Sequence, residues 1–317
     1  MKNISKNIYH VPVLLHESID ALSVKPGGVY IDVTFGGGGH SNEILRRLAG
    51  NGRLFAFDQD ADAIKRGERR EKRGEDILTL VHANFRHLWQ WMRYYNVTAV
   101  DGILADLGVS SHHFDTAERG FSFRSDAPLD MRMNQQAALT AADVVNTYSE
   151  EQLCTLFRLY GELRMAHRLA AIIVRERTKQ PVTTTGKLAT LTENILRTDR
   201  QKKELAKVFQ ALRIEVNGEM EALGELLTAS ARLLRPGGKL VVITYHSLED
   251  RLVKNFIRSG NIEGTVKEDI FGNKETPFTT SARKMITPDT EEVERNPRSR
   301  SAKMRVAVKS DNTTNTR

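Results

Sequence analysis

Val29-Tyr-Ile-Asp-Val-Thr-Phe-Gly-Gly-Gly-Gly-His40 is a β-rich run that breaks into four consecutive glycines and leads into a helical pattern from Ser41 to Ala49. Glycines between a strand and a helix let a ligand approach the backbone closely. Counted from Gly36, the sixth position is Ser41. The G-x-G-x-x-G dinucleotide fingerprint therefore fails. The next β-rich run, Arg53-Leu-Phe-Ala-Phe-Asp58, ends in an acid 19 residues after Gly39. A doubly wound sheet places a carboxylate there to accept hydrogen bonds from ribose hydroxyls. A glycine turn and this acid, without the pyrophosphate fingerprint, favour an adenosine cofactor lacking phosphates, and S-adenosylmethionine is the obvious one.

The surrounding chain repeats the same cadence. Asp60 is placed to N-cap a mixed-charge helix whose Lys65–Arg73 face is solvated. Ile77–Val81 and Val100–Asp106 read as strands three and four around a helix at Leu88–Tyr95. Strand, helix, strand implies βαβ units and a mostly parallel sheet. A further strand is expected at Lys239–Tyr245, after a helix with apolar Met220, Leu223, Leu227, Ala231 and Leu234 that stops at Pro236-Gly-Gly238. The interval from Asp106 to Lys239 far exceeds the ~30 residues of a βαβ unit, and its pattern is helical. Ser149-Glu-Glu-Gln152 matches a capping box, and Leu153, Leu156, Phe157 and Tyr160 share one face. The reading is thus an α/β protein in three segments: 1–113, an inserted helical domain at 114–212 between strands four and five, and 213–317. Ala302, Met304, Val306 and Val308 alternate as a final edge strand.

Composition narrows the classes. The chain has 317 residues, 40% of them hydrophobic, enough for a real core. One cysteine, Cys154, excludes an intramolecular disulfide framework and a cysteine-based zinc site. The longest apolar run, Leu169–Val174, falls far short of the ~20 residues of a membrane span. Met1-Lys-Asn-Ile-Ser-Lys6 lacks the apolar stretch of a signal peptide. A soluble cytoplasmic protein is expected. The net charge of +7 is uneven. Arg158–Gln180 and Arg295–Arg317 are basic patches on a near-neutral body. They fit a polyanionic partner or, equally, a solvated helix face and tail.

Several unusual strings then make the chain resemble the RsmH (MraW) family of bacterial small-subunit rRNA cytosine-N4 methyltransferases. They are His10-Val-Pro-Val-Leu-Leu15, Asp32-Val-Thr-Phe-Gly36 with Gly38-Gly-His-Ser41, Asp106-Leu-Gly-Val-Ser-Ser111, Arg119-Gly-Phe-Ser-Phe123 and Pro128-Leu-Asp-Met-Arg-Met133, followed by Phe209-Gln-Ala-Leu-Arg-Ile214, His246-Ser-Leu-Glu-Asp-Arg251 and Asn296-Pro-Arg298. The resemblance implies a class I, Rossmann-like methyltransferase fold with S-adenosylmethionine as cofactor. It implies 16S rRNA of the small ribosomal subunit as partner, with N4 of a cytidine in the decoding region as acceptor and the helical insertion for substrate recognition. By position, cofactor contacts fall on Gly38, Gly39, His40, Asp58, Phe85 and Asp106. The glycines admit the methionine end, Asp58 takes the ribose hydroxyls and Phe85 packs on adenine. A further contact, usually Gln in the family, is His113 here; an imidazole offers one donor and one acceptor where an amide offers more.

Attack through cytosine C5 would need a covalent thiolate. Cys154 sits beside Leu153, Leu156 and Phe157 as a small core residue, so N4 is left. N4 must be held with its lone pair toward the methyl, and must lose a proton. Asp106 is the first candidate to accept it and Asp130, with Arg132 as ion-pair partner, the second. His246 could contact the base or relay the proton, or could cap the following helix. Phe121, Phe123 and Tyr245 are candidates to pack on a splayed base, though Phe121 and Phe123 alternate around Ser122 and fit a core reading equally. His40 and His246 lack the companions of a metal site, so no metal is expected, and a homodimer is left open. Two other classes compete: a non-catalytic RNA-binding ribosome assembly factor that keeps the cofactor pocket, and a small-molecule methyltransferase or nicotinamide enzyme of similar fold. The intact turn and acids disfavour the first, and Ser41 with the basic patches disfavours the second.

Overall fold

A computed structural model describes residues 12–71, 77–109, 114, 116–193, 195, 201–266, 268, 276–280 and 285–311. His113 lies outside the described residues, as do His10, Val11, Ser110 and Ser111 of the quoted strings. The chain divides into two compact units, one of residues 1–108 with 221–317 and one of residues 109–220.

The first unit is built on seven strands: β1 (Val29–Asp32), β2 (Arg53–Asp58), β3 (Leu78–His82), β4 (Val100–Asp106), β5 (Leu234–Thr244), β6 (Phe278–Thr280) and β7 (Lys303–Lys309). Their order is β3-β2-β1-β4-β5-β7-β6. The first five pair in parallel, and β7 is antiparallel to both β5 and β6. A parallel sheet covered on both faces reads as continuous apolar runs rather than alternation, and Leu54, Phe55, Ala56 and Phe57 in β2 are all fully buried. One face is covered by α1 (Leu15–Leu22), α2 (Gly39–Leu48) and α3 (Ala61–Glu71), through Ile19, Leu22, Ile44, Leu48 and Ala63. The other is covered by α4 (Leu88–Tyr94), α10 (Glu219–Leu233) and α11 (Ser247–Ser259), through Leu88, Met92, Leu223, Leu227, Val253 and Phe256. Asp60 caps α3 by accepting from Asp62 N at 3.0 Å.

Three local expectations are corrected. The first strand ends at Asp32, not Phe35, because the Asp32 carboxylate accepts the Thr34 N–H at 3.0 Å and turns the chain. β5 begins at Leu234, before Pro236-Gly-Gly238; its pairing skips from Val100↔Leu234 to Gly102↔Lys239, so the Pro-Gly-Gly stretch is a bulge within the strand. β7 is not an edge strand, since β6 lies outside it.

The second unit is helical and lies in sequence between β4 and β5. It contains α5 (Ala141–Thr147), α6 (Glu150–Leu159), α7 (Ala166–Arg177), α8 (Thr185–Glu193) and α9 (Gln201–Asn217). Both halves of the Ser149–Gln152 capping box form, and a second box joins Thr140 to Asp143. The core is Leu153, Leu156, Phe157, Leu169, Ile173, Val208 and Leu212, with Cys154 among them. No helix among the described residues is long and apolar enough to cross a membrane.

Candidate active site

In an open α/β sheet the ligand crevice lies beyond the carboxyl ends of the strands where their order reverses, here between β1 and β4. The glycine turn follows β1 and Asp106 ends β4, so both border that crevice. Gly38 is the N-cap of α2 with φ +76°, a conformation glycine adopts without steric cost. A Cβ on Gly39 would lie 2.0 Å from Pro12 Cγ, whereas one on Gly37 would meet nothing within 4 Å. The turn is packed beneath and open above. Asp58 Oδ2 accepts from Gly36 N at 2.8 Å while Oδ1 accepts from Asp60 N at 2.8 Å. The carboxylate thus locks the glycine turn to the end of β2. Phe85, half-buried, opens a short 3₁₀ turn (Phe85–His87) capped by Asn84. The Asn84 amide donates to Gln59 Oε1 at 2.8 Å, joining the loops that follow β2 and β3.

Asp106 is the centre of a polar cluster. Its backbone N–H donates to Thr34 Oγ1 at 2.7 Å. The Thr34 hydroxyl in turn lies 3.4 Å from Asp32 Oδ1, and Ser41 Oγ donates to Asp32 Oδ2 at 2.6 Å. Asp32 is buried, which raises its carboxyl pKa above the usual range. The Tyr245 hydroxyl donates to Asp106 Oδ1 at 2.7 Å. His40, buried, has Nε2 3.2 Å from Val13 O and Nδ1 3.8 Å from Asp106 Oδ2. Burial lifts the Asp106 carboxyl to about 6, with nearby Asp32 and Glu249 adding to the rise; His40 and the Tyr245 hydroxyl oppose it. Asp32 and Thr34 were not among the site residues expected from sequence, and Tyr245 was expected only as a stacking aromatic. The one available signal for Asp32 was an acid inside an apolar strand.

His246 is committed to α11 as its N-cap. Its Nδ1 faces Glu249 N at 3.4 Å, its Nε2 lies 3.1 Å from Glu249 Oε1, and Glu249 Oε2 accepts from Tyr245 N at 2.8 Å. Of the two readings of this histidine, the capping one describes its contacts.

Asp130 belongs to the helical unit, where Arg132 grips both its oxygens at 2.8 and 2.6 Å. Burial would raise the Asp130 carboxyl, but the Arg132 hydrogen bonds and charge outweigh it and hold the pKa below the ordinary value. A carboxylate so held is a poor proton acceptor. Phe121 is core, and Phe123 packs edge-on against Phe209 with centroids 5.3 Å apart. Phe121 is thus closed to a base, while Phe123 is only partly buried.

The basic patches divide as well. Arg177 donates to Val145 O and Tyr148 O at the end of α5, and Glu176 pairs with both Arg175 and Lys179. Arg164 and Arg168 are exposed. In the C-terminal patch, Arg305 pairs with Asp250 and Lys309 donates to Ala231 O. Much of that charge is used within the fold.

Sheet order, glycine turn and strand-end acids together define an open α/β protein with a nucleotide-type ligand crevice. The family model described as "MraW methylase family" matches residues 7–310. A protein of Bacteroides fragilis named "Ribosomal RNA small subunit methyltransferase H" is 58% identical over 301 residues, covering 95% of this chain and 97% of that one. One of the same name from Phocaeicola vulgatus is 57% identical over 305 residues, covering 96% and 99%. The chain belongs to the MraW methylase family. Among solved structures, a putative rRNA-methylase from Clostridium thermocellum is similar at 14% identity and a TM-score of 0.43, covering 95% of this chain and 99% of that one.

Proposed function

We propose that the protein methylates the exocyclic N4 of a cytidine in the decoding region of 16S rRNA, using S-adenosylmethionine, in the cytoplasm. Family membership supports an rRNA methyltransferase, and the site supports the donor. A turn open over Gly37, with Gly38 at φ +76° and Gly39 packed on Pro12 beneath, suits the methionine end. Asp58 suits the ribose, since a carboxylate has about four acceptor positions in all, and Phe85 suits the adenine face. The bound donor would supply an electrophilic methyl. The protein must do the rest.

The observation that carries the reading is the Asp106 carboxyl, set at the mouth of the sheet and raised to about 6. A proton acceptor works best with a pKa near the working pH. With Oδ1 occupied by the Tyr245 hydroxyl, Oδ2 is the oxygen to take the N4 proton as the new N–C bond forms. Asp130, held low by Arg132, serves the fold of its own unit better than proton transfer. Chemistry at C5 is disfavoured because the single cysteine is buried in the helical core. Arg164 and Arg168 suit RNA phosphates, with the helical unit recognising substrate.

The test is tritium transfer from labelled donor to small ribosomal subunits, followed by nucleoside analysis. N4-methylcytidine is the expected product; label on C5, or none on cytidine, would defeat the reading. Asp106→Asn should lower turnover by on the order of 10²–10⁴-fold, the usual contribution of a positioned acid or base.

A further inference from the structure

We propose that Tyr245 is a positioning residue for Asp106, its hydroxyl holding Oδ1 so that Oδ2 faces the acceptor amine. The inference rests on the N4-transfer reading and adds the residue that orients its proton acceptor. The hydroxyl donates at 2.7 Å, and both groups are half-buried. The phenol ring lies close against the backbone at Gly108, two residues beyond Asp106, where a Cβ would come within 3.3 Å of Tyr245 Cδ2. From the other side, Tyr245 N donates to Glu249 Oε2 at 2.8 Å. A ring held at the end of β5 thus reaches across to the end of β4, the strand it pairs with.

The direction of the donor matters. Burial pushes the Tyr245 phenol well above its ordinary value, reinforced by the Asp106 charge, so it keeps its proton and can only donate to the carboxylate. The charged and titratable groups facing the pair are His40 on α2, Asp32 on β1, Glu249 on α11 and Glu292 on α12 (Thr290–Arg295). Among these, His40 and the Tyr245 hydroxyl favour the Asp106 anion, while Asp32 and Glu249 oppose it. His40 is at 3.8 Å, outside hydrogen-bond range, so among the described residues the phenol is the direct side-chain donor to a carboxylate oxygen.

The experiment is the pH profile of methyl transfer to small ribosomal subunits by the full-length protein and its Tyr245→Phe variant. Removing the donor should move the acid limb of kcat upward by about one pH unit, a hydrogen-bond-sized shift. Turnover should fall about fivefold at pH 6, approach a tenfold loss below about pH 5 and recover above pH 8, with KM for the donor within about twofold of the parent. An unmoved acid limb would overturn the proposal. Placing 3-fluorotyrosine at position 245 keeps the ring and strengthens the donor, and should shift the limb downward. Carbon-13 NMR of the labelled Asp106 carboxyl reads the same shift without turnover, so it still judges the role of Tyr245 if no cytidine is methylated at all. A carboxyl titration identical in the parent and both variants would likewise overturn it.

Discussion

Asp106 exemplifies a residue whose proposed role carries a cost in stability. Its carboxyl rises from 3.8 to about 6 on folding, chiefly because burial penalises the charge. Between those values the folded state binds a proton that the unfolded chain has released. Stability therefore falls as pH rises through this window and stays lower above it. A shift of about two units corresponds to ~3 kcal/mol at most. Asp106→Asn keeps an oxygen for the Tyr245 hydroxyl but removes the charge. It should raise Tm at pH 8 by an amount equivalent to about 1–3 kcal/mol and leave it nearly unchanged at pH 4, measured by thermal melts across pH. The same substitution that is expected to lower turnover should thus stabilise the fold, and a variant less stable at pH 8 would contradict the burial argument. The strand-end positions of Asp58 and Asp106 were legible in the sequence because each closes an apolar β-run. Tyr245 was legible only as an aromatic, because its partner lies 139 positions away.

Helices and strands show where charge counting needed geometry. The stretch from Arg158 to Gln180 is basic as a string, yet its cations do different work. Arg177 caps the carbonyls of Val145 and Tyr148, and Arg175 and Lys179 share Glu176. Arg164 and Arg168 face solvent. The double substitution Arg164→Ala with Arg168→Ala should weaken binding to rRNA fragments irrespective of sequence. It should also reduce the slope of log K against log salt by about 0.7–0.9 for each phosphate no longer neutralised, read by filter binding over a salt series. Arg177→Ala should leave that slope unchanged and instead lower stability by about 1–3 kcal/mol in thermal melts, since it strips the charged donor from two carbonyls. Capping was read more securely than charge. Ser149 and Gln152 declare a helix start because both partners sit within three positions, whereas an arginine's partner can be anywhere in the unit.

The whole molecule turns on the order of its strands. β7 pairs with β5 through six consecutive positions, from Lys239↔Val308 to Thr244↔Lys303, and buries Met304 and Ala307 completely. Deleting residues 303–317 would leave the long β5 as an unpaired edge and open the core beneath it, a ready template for aggregation. The truncated chain should lose its cooperative melt and elute as aggregate in size-exclusion chromatography; a monomeric, cooperatively melting product would refute the interior placement of β7. Read from the chain alone, the alternation of strands and helices, the glycine turn, the two strand-end acids and the helical stretch between Asp106 and Lys239 were all available, because each is written in local periodicity or in a handful of adjacent residues. The interior position of β7, the bulge at Pro236–Gly238, the contacts His246 makes with Glu249 and the Tyr245–Asp106 bond were not. Those depend on which distant segments meet and on how deeply they are buried, and neither quantity is a property of any local stretch of chain.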